Sequence, residues 1–311
     1  MNDLLKMSDL SKSDIIELLD IADKLKYERK HGIEHHILKG KSLGMIFQKS
    51  STRTRVSFET GIYQLGGQAL FLSPRDLQIG RGEPLEDTAR VLSRYLDGIM
   101  IRTFAQKEVE DLAEYCTCPV INGLTDYCHP CQVLADLMTI RELKGGFDGL
   151  KMCYIGDGNN MANSLIVGGL TVGMKVSIAC PNDHQPDERV LDFTKKYGTM
   201  YTMTDDVLEA AKDADVLFTD VWASMGQEDE AAERRKVFVG YQINDAVVSV
   251  AAKDAMVQHC LPAHRGEEIT ADVFEKHADE IFEEAENRLH AQKAVMVKLM
   301  SPEATGSHRR S

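Results

Sequence analysis

The chain has 311 residues, 43% hydrophobic and 27% charged, which is enough apolar material for a full core and a length typical of about two domains. A net charge of -13 excludes general nucleic-acid binding and adhesion to acidic membranes. Met1-Asn2-Asp3-Leu4-Leu5 lacks a signal peptide's basic and apolar segments, and no apolar run nears the roughly 20 residues that span a bilayer, so the expectation is a cytoplasmic protein.

In chain order, Ser11 to Lys26 reads as an amphipathic helix with Ile15, Leu18, Leu19, Ala22 and Leu25 on one face. Ser42–Phe47 is a short apolar run that fits a buried strand, and it delivers the chain into Ser50-Ser51-Thr52-Arg53-Thr54-Arg55. Phe58, Ile62 and Leu65 follow at helical spacing, so a helix starts inside that motif. The strand–loop–helix order then repeats. Ala69–Leu72 is a strand, Pro84–Leu96 a helix, Gly98–Ile101 a strand ending at Arg102, Val109–Tyr115 a helix and Val120–Gly123 a strand. His129–Leu143 reads as a long helix broken at Lys144-Gly145-Gly146. A second set has strands at 152–155, 176–180, 216–219 and 257–261, with helices at 161–172, 188–197 and 208–212 and a last helix at 284–300. Residues 306–311 read as a frayed or appended tail.

This alternation predicts an α/β protein of two doubly wound parallel-sheet domains with helices on both faces. The expected domains are 1–143 and 150–285, with the C-terminal helix, 286–303, packing back on the first. In such sheets ligand groups gather past the carboxyl ends of strands, where Arg53 and Arg102 both fall.

The motifs at those strand ends carry the chemistry. Ser50–Arg55 combines a helix start, hydroxyls and guanidinium groups, the parts of a phosphate site. It also reads as a solvated helix start with an Arg55–Glu59 pair. The seven cysteines are odd in number, and several lie in strand-like runs, which fits reduced, buried thiols better than disulfides. Cys128-His129-Pro130-Cys131 has redox spacing but follows a series of strands and helices rather than the first strand of a thioredoxin-like unit. His129 and Gln132 there can donate to a ligand oxygen, or the segment is simply a helix cap. Gly156-Asp157-Gly158-Asn159-Asn160-Met161 resembles a dinucleotide loop, yet Met161 replaces the third glycine, which disfavours a nicotinamide oxidoreductase. Asn159 and Asn160 offer amides to a polar substrate, though Asn also serves in turns. Asp220 is a carboxylate at a strand end, suited to an ammonium group or to capping a helix. His259, Cys260 and His264 lack a fourth metal ligand at familiar spacing, so no metal is expected. Arg288 lies on the last helix and equally reads as part of a solvated face.

Taken together these motifs say more than any one of them. Ser51-Thr52-Arg53-Thr54-Arg55 with His129-Pro130-x-Gln132 resembles the carbamoyltransferase family, where both mark the carbamoyl-phosphate half. Asp220 with Ser224-Met225-Gly226, and His259-Cys260-Leu261-Pro262, resemble its ornithine branch. The resemblance runs from the first helix to Glu286-Asn287-Arg288. Aspartate-specific relatives lack the last two motifs, putrescine relatives differ at Ser224-Met225-Gly226, and acetylornithine relatives alter Ser51–Arg55.

The resemblance implies transfer of a carbamoyl group from carbamoyl phosphate to the δ-amine of L-ornithine, giving citrulline and phosphate. The closest alternative is the same chemistry on another amine such as putrescine. Ser51, Thr52, Arg53, Thr54 and Arg102 would hold the phosphate. Arg102, His129, Gln132 and Thr54 would grip the carbamoyl group, with Cys260, Leu261 and Arg288 lining its end. Asn160, Asp220, Ser224 and Met225 would hold ornithine, and Asp220 and Cys260 would orient its amine. Arg102, His129, Asp220 and Cys260 are the implied catalytic residues. No cofactor is implied, since departing phosphate accepts the proton. Family members close two domains over their substrates and assemble as trimers, which makes Gln78 the candidate for a contact made in trans. A non-catalytic relative is disfavoured by the intact Arg53, Arg102, His129, Asp220 and Cys260. The implied place is arginine biosynthesis, although arginine degradation employs the same residues.

Overall fold

The short apolar runs become parallel strands and the amphipathic stretches after them become helices. The computed structural model describes residues 1–73, 77, 82–223, 228–301 and 303. Contacts divide the chain into two units, Met1–Leu134 together with Arg288 onward, and Ala135–Asn287. The limits of these contact units fall inside helices, between Leu134 and Ala135 and between Asn287 and Arg288.

In the first unit, α1 (Lys12–Lys30) precedes β1 (Ser42–Phe47), α2 (Thr52–Gln64), β2 (Gln68–Leu72), α3 (Leu85–Leu92), β3 (Gly98–Arg102), α4 (Gln106–Tyr115) and β4 (Val120–Leu124). Ser11 starts α1 as a capping box with Asp14. The sheet is parallel in the order β2-β1-β3-β4. The order reverses between β1 and β3, and register places Phe47 beside Arg102 at their carboxyl ends. Loops leaving these ends diverge and form the crevice in which open α/β sheets bind ligands.

The second unit comprises α5 (Pro130–Lys144) from Ala135 onward, β5 (Lys151–Ile155), α6 (Asn160–Val172), β6 (Lys175–Ala179), α7 (Glu188–Thr194), β7 (Tyr201–Thr204), α8 (Val207–Ala211), β8 (Val216–Thr219), α9 (Ala231–Val237), α10 (Asp245–Val250), β9 (Met256–His259), α11 (Ala271–Lys276) and the start of α12 (Ala278–Met300). Its sheet is parallel in the order β7-β6-β5-β8-β9. Ile155 pairs with Thr219 and Thr219 with His259, so three successive strands end level with one another. Cys153, Ile155, Leu217 and Val257 from these strands pack with Val273, Phe274 and Ile281 from the helices. Burying each large apolar side chain stabilises the unit by roughly 1.5–3 kcal/mol before entropy is counted.

From Arg288 onward α12 belongs to the first unit, as expected for the last helix. Ser57 donates to Gln292 Oε1 at 2.5 Å, and a Cβ at Gly61 would lie 3.0 Å from Met296 Cε, which shows how closely α2 and α12 approach.

Some elements differ from expectation. The strand expected over 257–261 ends at His259, because Leu261 takes a left-handed backbone, φ +57°, that no strand continues. The helix expected from Glu284 starts at Ala278. Strand β7 and the short helices α9, α10 and α11 were not expected at all.

Candidate active site

In the first unit the strand ends carry a cationic cradle. Ser51 caps α2 in extended backbone, φ -165°, and its hydroxyl accepts from the Thr54 N–H at 3.2 Å. The N–H groups of the first turn and the positive end of the helix dipole thus face the crevice, with Thr52 and Arg53 exposed beside them. From the start of the last helix's first-unit portion, Arg288 donates to Thr54 Oγ1 at 2.9 Å and to Gln132 Oε1 at 2.8 Å. One buried guanidinium therefore ties the Ser51–Arg55 motif to the His129–Gln132 motif. Arg102 is buried at the end of β3, and its carbonyl accepts from the Gln48 N–H at 2.9 Å. Burial, and then the guanidinium groups of Arg288, Arg102 and Arg53, hold His129 well below the usual imidazole pKa. His129 is therefore a neutral imidazole in a cationic setting, able to donate one hydrogen bond to an oxygen that gains negative charge.

Arg55 takes no part in this cradle. Its Nε donates to Glu59 at 3.0 Å, and its guanidinium stacks on the Phe71 ring at 3.7 Å from the centroid. Among the described residues Arg55 and Phe71, with Ser51, Thr52 and Phe47, line an open pocket of ≈610 Å³. Lys49 is another cation nearby, but it is ion-paired to Asp126 and lies 4.5 Å from the Phe104 ring centroid.

Cys128 and Cys131 do not form a redox site. Both are buried, and burial pushes each thiol up to about 12. Cys131 donates to the Asn122 carbonyl at 3.3 Å, so these sulfurs serve packing and local hydrogen bonding.

In the second unit an acidic site is built from three adjacent strand ends. Cys260 donates its thiol proton to Asp220 Oδ1 at 3.1 Å, while Asn159 Nδ2 donates to Asp220 Oδ2 at 3.1 Å. Burial and the Asp220 carboxylate push the Cys260 thiol well above its ordinary pKa, which keeps it protonated. Cys260 is thus a hydrogen-bond donor and not a thiolate nucleophile. Asn159 also caps α6, accepting from the N–H groups of Met161 and Ala162 at 2.9 and 3.2 Å. Asn160 heads the same helix, half-buried.

The two glycines of the Gly156-Asp157-Gly158 loop have structural reasons of their own. Gly156 holds φ +144°, and a Cβ at Gly158 would lie 2.2 Å from the backbone of Gln185. Close chain approach, rather than a pyrophosphate, accounts for the second glycine. Asp157 is ion-paired to buried Arg234, which also donates to the Trp222 carbonyl. Arg234 therefore joins the Asp157 loop to the segment that follows Asp220.

His259 is also accounted for. Its Nδ1 accepts from the Leu261 N–H at 2.9 Å and its Nε2 meets Glu268 at 2.9 Å, leaving neither ring nitrogen to ligate a metal. The same pair of bonds fixes the Cys260–Leu261 turn, together with the His259 N–H to Glu284 bond at 2.9 Å. Leu261 holds a strained left-handed φ of +57° in this turn.

The architecture and both domains match known proteins. Residues 2–142 match the model described as "Aspartate/ornithine carbamoyltransferase, carbamoyl-P binding domain", and residues 148–299 match its "Asp/Orn binding domain". The chain belongs to the aspartate/ornithine carbamoyltransferase family. It is 55% identical over 303 residues to the ornithine carbamoyltransferase of Oceanobacillus iheyensis, covering 96% of this chain and 94% of that protein. It is 56% identical over 302 residues to that of Carboxydothermus hydrogenoformans, covering 96% and 97%. The solved ornithine carbamoyltransferase from Pyrococcus furiosus superposes with a TM-score of 0.92 at 51% identity, covering 99% of this chain and 98% of that one.

Of the residues implied by the carbamoyltransferase family resemblance, Ser51, Thr54, Gln132 and Arg288 join one hydrogen-bonded group, with Arg53 and Arg102 close enough to act on His129. Asp220 and Cys260 are in contact. Gln78, Ser224 and Met225 lie outside the described residues. Asn160 heads α6, and the neighbouring Asn159 supplies the amide bonded to Asp220. Sequence reasoning missed Arg234, Glu268 and Glu284 altogether. Arg234 and Glu284 lie on helices, 77 and 25 residues from Asp157 and His259, and Glu268 lies in a turn, so none of them stands out from ordinary solvent-exposed charge in the sequence.

Proposed function

We propose that this chain transfers the carbamoyl group of carbamoyl phosphate to the δ-amine of L-ornithine, releasing L-citrulline and phosphate. The observation that carries the reading is the buried Asp220 carboxylate held by the Cys260 thiol and the Asn159 amide. An anion fixed by these donors and by the Val221 N–H at a sheet's ligand edge is suited to an ammonium group. The cationic cradle of the first unit supplies the complementary phosphate chemistry, and the names of the relatives agree with both.

In this reading the phosphate binds at the α2 N-terminus, held by Ser51, Thr52, Arg53, Thr54 and Arg102. Neutral His129 and the guanidinium of Arg102 donate to the carbamoyl oxygen as it gains charge, with Gln132 and Arg288 holding the cradle in shape. The ornithine δ-ammonium has an ordinary pKa near ~10.4, so it must lose a proton before it attacks. Asp220 draws the amine in and aims it, while protonated Cys260 fixes the carboxylate. The C–N bond forms, the C–O bond to phosphate breaks, and departing phosphate takes the amine proton. No metal or organic cofactor enters this balance. Asn160, Ser224 and Met225 are assigned to the amino-acid end, and Leu261 to the carbamoyl end.

Assembly as a homotrimer with Gln78 contributed by a neighbour is part of the same proposal. Exposed Val56, Tyr63, Leu70 and Phe71 on the first unit support a covered surface there. Free cysteines fit a reducing cytoplasm, and ornithine carbamoylation fits arginine biosynthesis.

Two variants test the assignment. Arg53→Ala and Asp220→Asn are each expected to lower kcat/KM for citrulline formation by on the order of 100-fold or more, the scale of removing a preorganised electrostatic group. Near-normal turnover in either variant would sink it.

A further inference from the structure

Glu268 is a fully buried carboxylate of the second unit, and among the described residues its hydrogen bonds reach no group assigned to a substrate. Its backbone is a fixed point. The Glu268 carbonyl accepts from the Ile243 N–H at 2.9 Å, the Thr270 N–H donates to the Ile243 carbonyl at 3.0 Å, and Ile243 and Ile269 both lie in the core. From there the side chain gathers two donors on one oxygen. Oε1 accepts from the His264 N–H at 2.6 Å and from His259 Nε2 at 2.9 Å, while Oε2 has no hydrogen-bond partner among the described residues. The surroundings thus use an acceptor at one place more than a charge.

The bond to His259 decides which ring nitrogen carries the proton. A backbone N–H can only donate, so the Leu261 N–H at 2.9 Å requires a bare lone pair on Nδ1 and puts the ring proton on Nε2. Glu268 Oε1 is the acceptor which that proton needs. A ring turned over, or carrying its proton on Nδ1 alone, would lose both bonds at once. Leu261 holds φ +57°, and its bond to the His259 ring closes the turn that carries Cys260. The Cys260 thiol meets Asp220 Oδ1 at 3.1 Å, a directed bond that fails if the turn relaxes.

We propose that Glu268 is a positioning residue for ornithine carbamoylation, acting through the His259 tautomer and the Leu261 turn to hold the Cys260 thiol on Asp220. The inference rests on the assignment of Asp220 and Cys260 to the acceptor amine; Glu268 itself touches no reacting atom.

The test compares Glu268→Gln, Glu268→Asp and Glu268→Ala in the full-length protein. Two readouts are taken: citrulline formation, and iodoacetamide alkylation of Cys260 followed by peptide mass spectrometry. Glutamine keeps an acceptor oxygen at the same reach, whereas aspartate keeps the charge but draws the oxygen back by one methylene. Glu268→Gln should therefore resemble the parent in both readouts. Glu268→Ala and Glu268→Asp should each lower kcat/KM for ornithine by about 10-fold, leave the KM for carbamoyl phosphate nearly unchanged, and speed Cys260 alkylation. Neither should lower kcat/KM further in a Cys260→Ala background, because the thiol through which Glu268 acts is gone. Circular dichroism reports the fold of each variant, and Glu268→Asp carries the test where alanine does not fold. Losses that add to that of Cys260→Ala, or Glu268→Asp as active as the parent beside an impaired Glu268→Gln, would overturn the proposal. Alkylation needs no substrate, so it reports the turn whichever amine is the acceptor; an unchanged rate in Glu268→Ala and Glu268→Asp would overturn the positioning itself.

Discussion

Cys260 and Cys131 are both thiols raised by burial, yet only Cys260 donates to a carboxylate. Hydrogen bonds to a charged partner contribute roughly 1.5–3 kcal/mol, so Cys260→Ala is expected to lower kcat/KM by about 10- to 100-fold. Cys260→Ser keeps a donor and should lose less, and the parent thiol should resist iodoacetamide near pH ~8.5, where an ordinary thiol is half ionised. Fast alkylation there would contradict the protonated-donor role. Lys293 offers a second residue-scale test. It is fully buried on α12, donating to His35 Nε2 at 2.6 Å and Gln64 Oε1 at 3.0 Å, and burial lowers its pKa from 10.5 to about 8. Below about 8 both folded and unfolded chains carry the proton, and the burial cost is present in full. Between about 8 and 10.5 the unfolded chain binds more protons, so this group's contribution to stability improves as pH rises, by about 3 kcal/mol at most. Relative to Lys293→Met, the parent's Tm should therefore rise across that window; a constant difference would contradict the assignment. The ligand-edge residues Arg53, Arg102, His129, Asp220 and Cys260 were legible because each follows a recognisable strand. Arg234 was not, because a mid-helix arginine looks the same in sequence whether or not it binds a distant acid; Asn159 was legible as an amide but not as the partner of Asp220.

The element most exposed to a single change is the Gly156–Asn159 loop. At Gly158 an added Cβ would lie 2.2 Å from Gln185 C and 2.3 Å from Pro186 N, backbone atoms that cannot step aside cheaply. Gly158→Ala is expected to cost about 1–3 kcal/mol or more in denaturant unfolding, the range of overpacking, and to weaken ornithine binding. Gly146→Ala, with open space and an ordinary φ, should be near neutral, and equal effects at the two sites would contradict the close-approach argument. Elements with a clear period were legible, as α1 and β1 show. Strand β7, Tyr201–Thr204, was not, because it is four residues long and lies at a sheet edge with no fully buried position. Helices α9, α10 and α11 span only six or seven residues each, too short to display a helical stripe.

At the scale of the whole molecule, alternating strand and helix led to two parallel α/β sheets, and the family match confirms that architecture. What alternation does not carry is that contacts group the start of α5 with the first unit, because α5 is a continuous helix whose periodicity runs through that point. Function was legible at this scale because the cationic cradle belongs to one sheet's switch point and the Asp220–Cys260 pair to the other's. The most direct measurement of the central claim is therefore amine choice: kcat/KM for L-ornithine and for putrescine, each with saturating carbamoyl phosphate. Carbamoyl-phosphate-dependent citrulline and a clear preference for ornithine are expected; a preference for putrescine, or no carbamoylated product from either amine, would overturn the assignment of ornithine as acceptor.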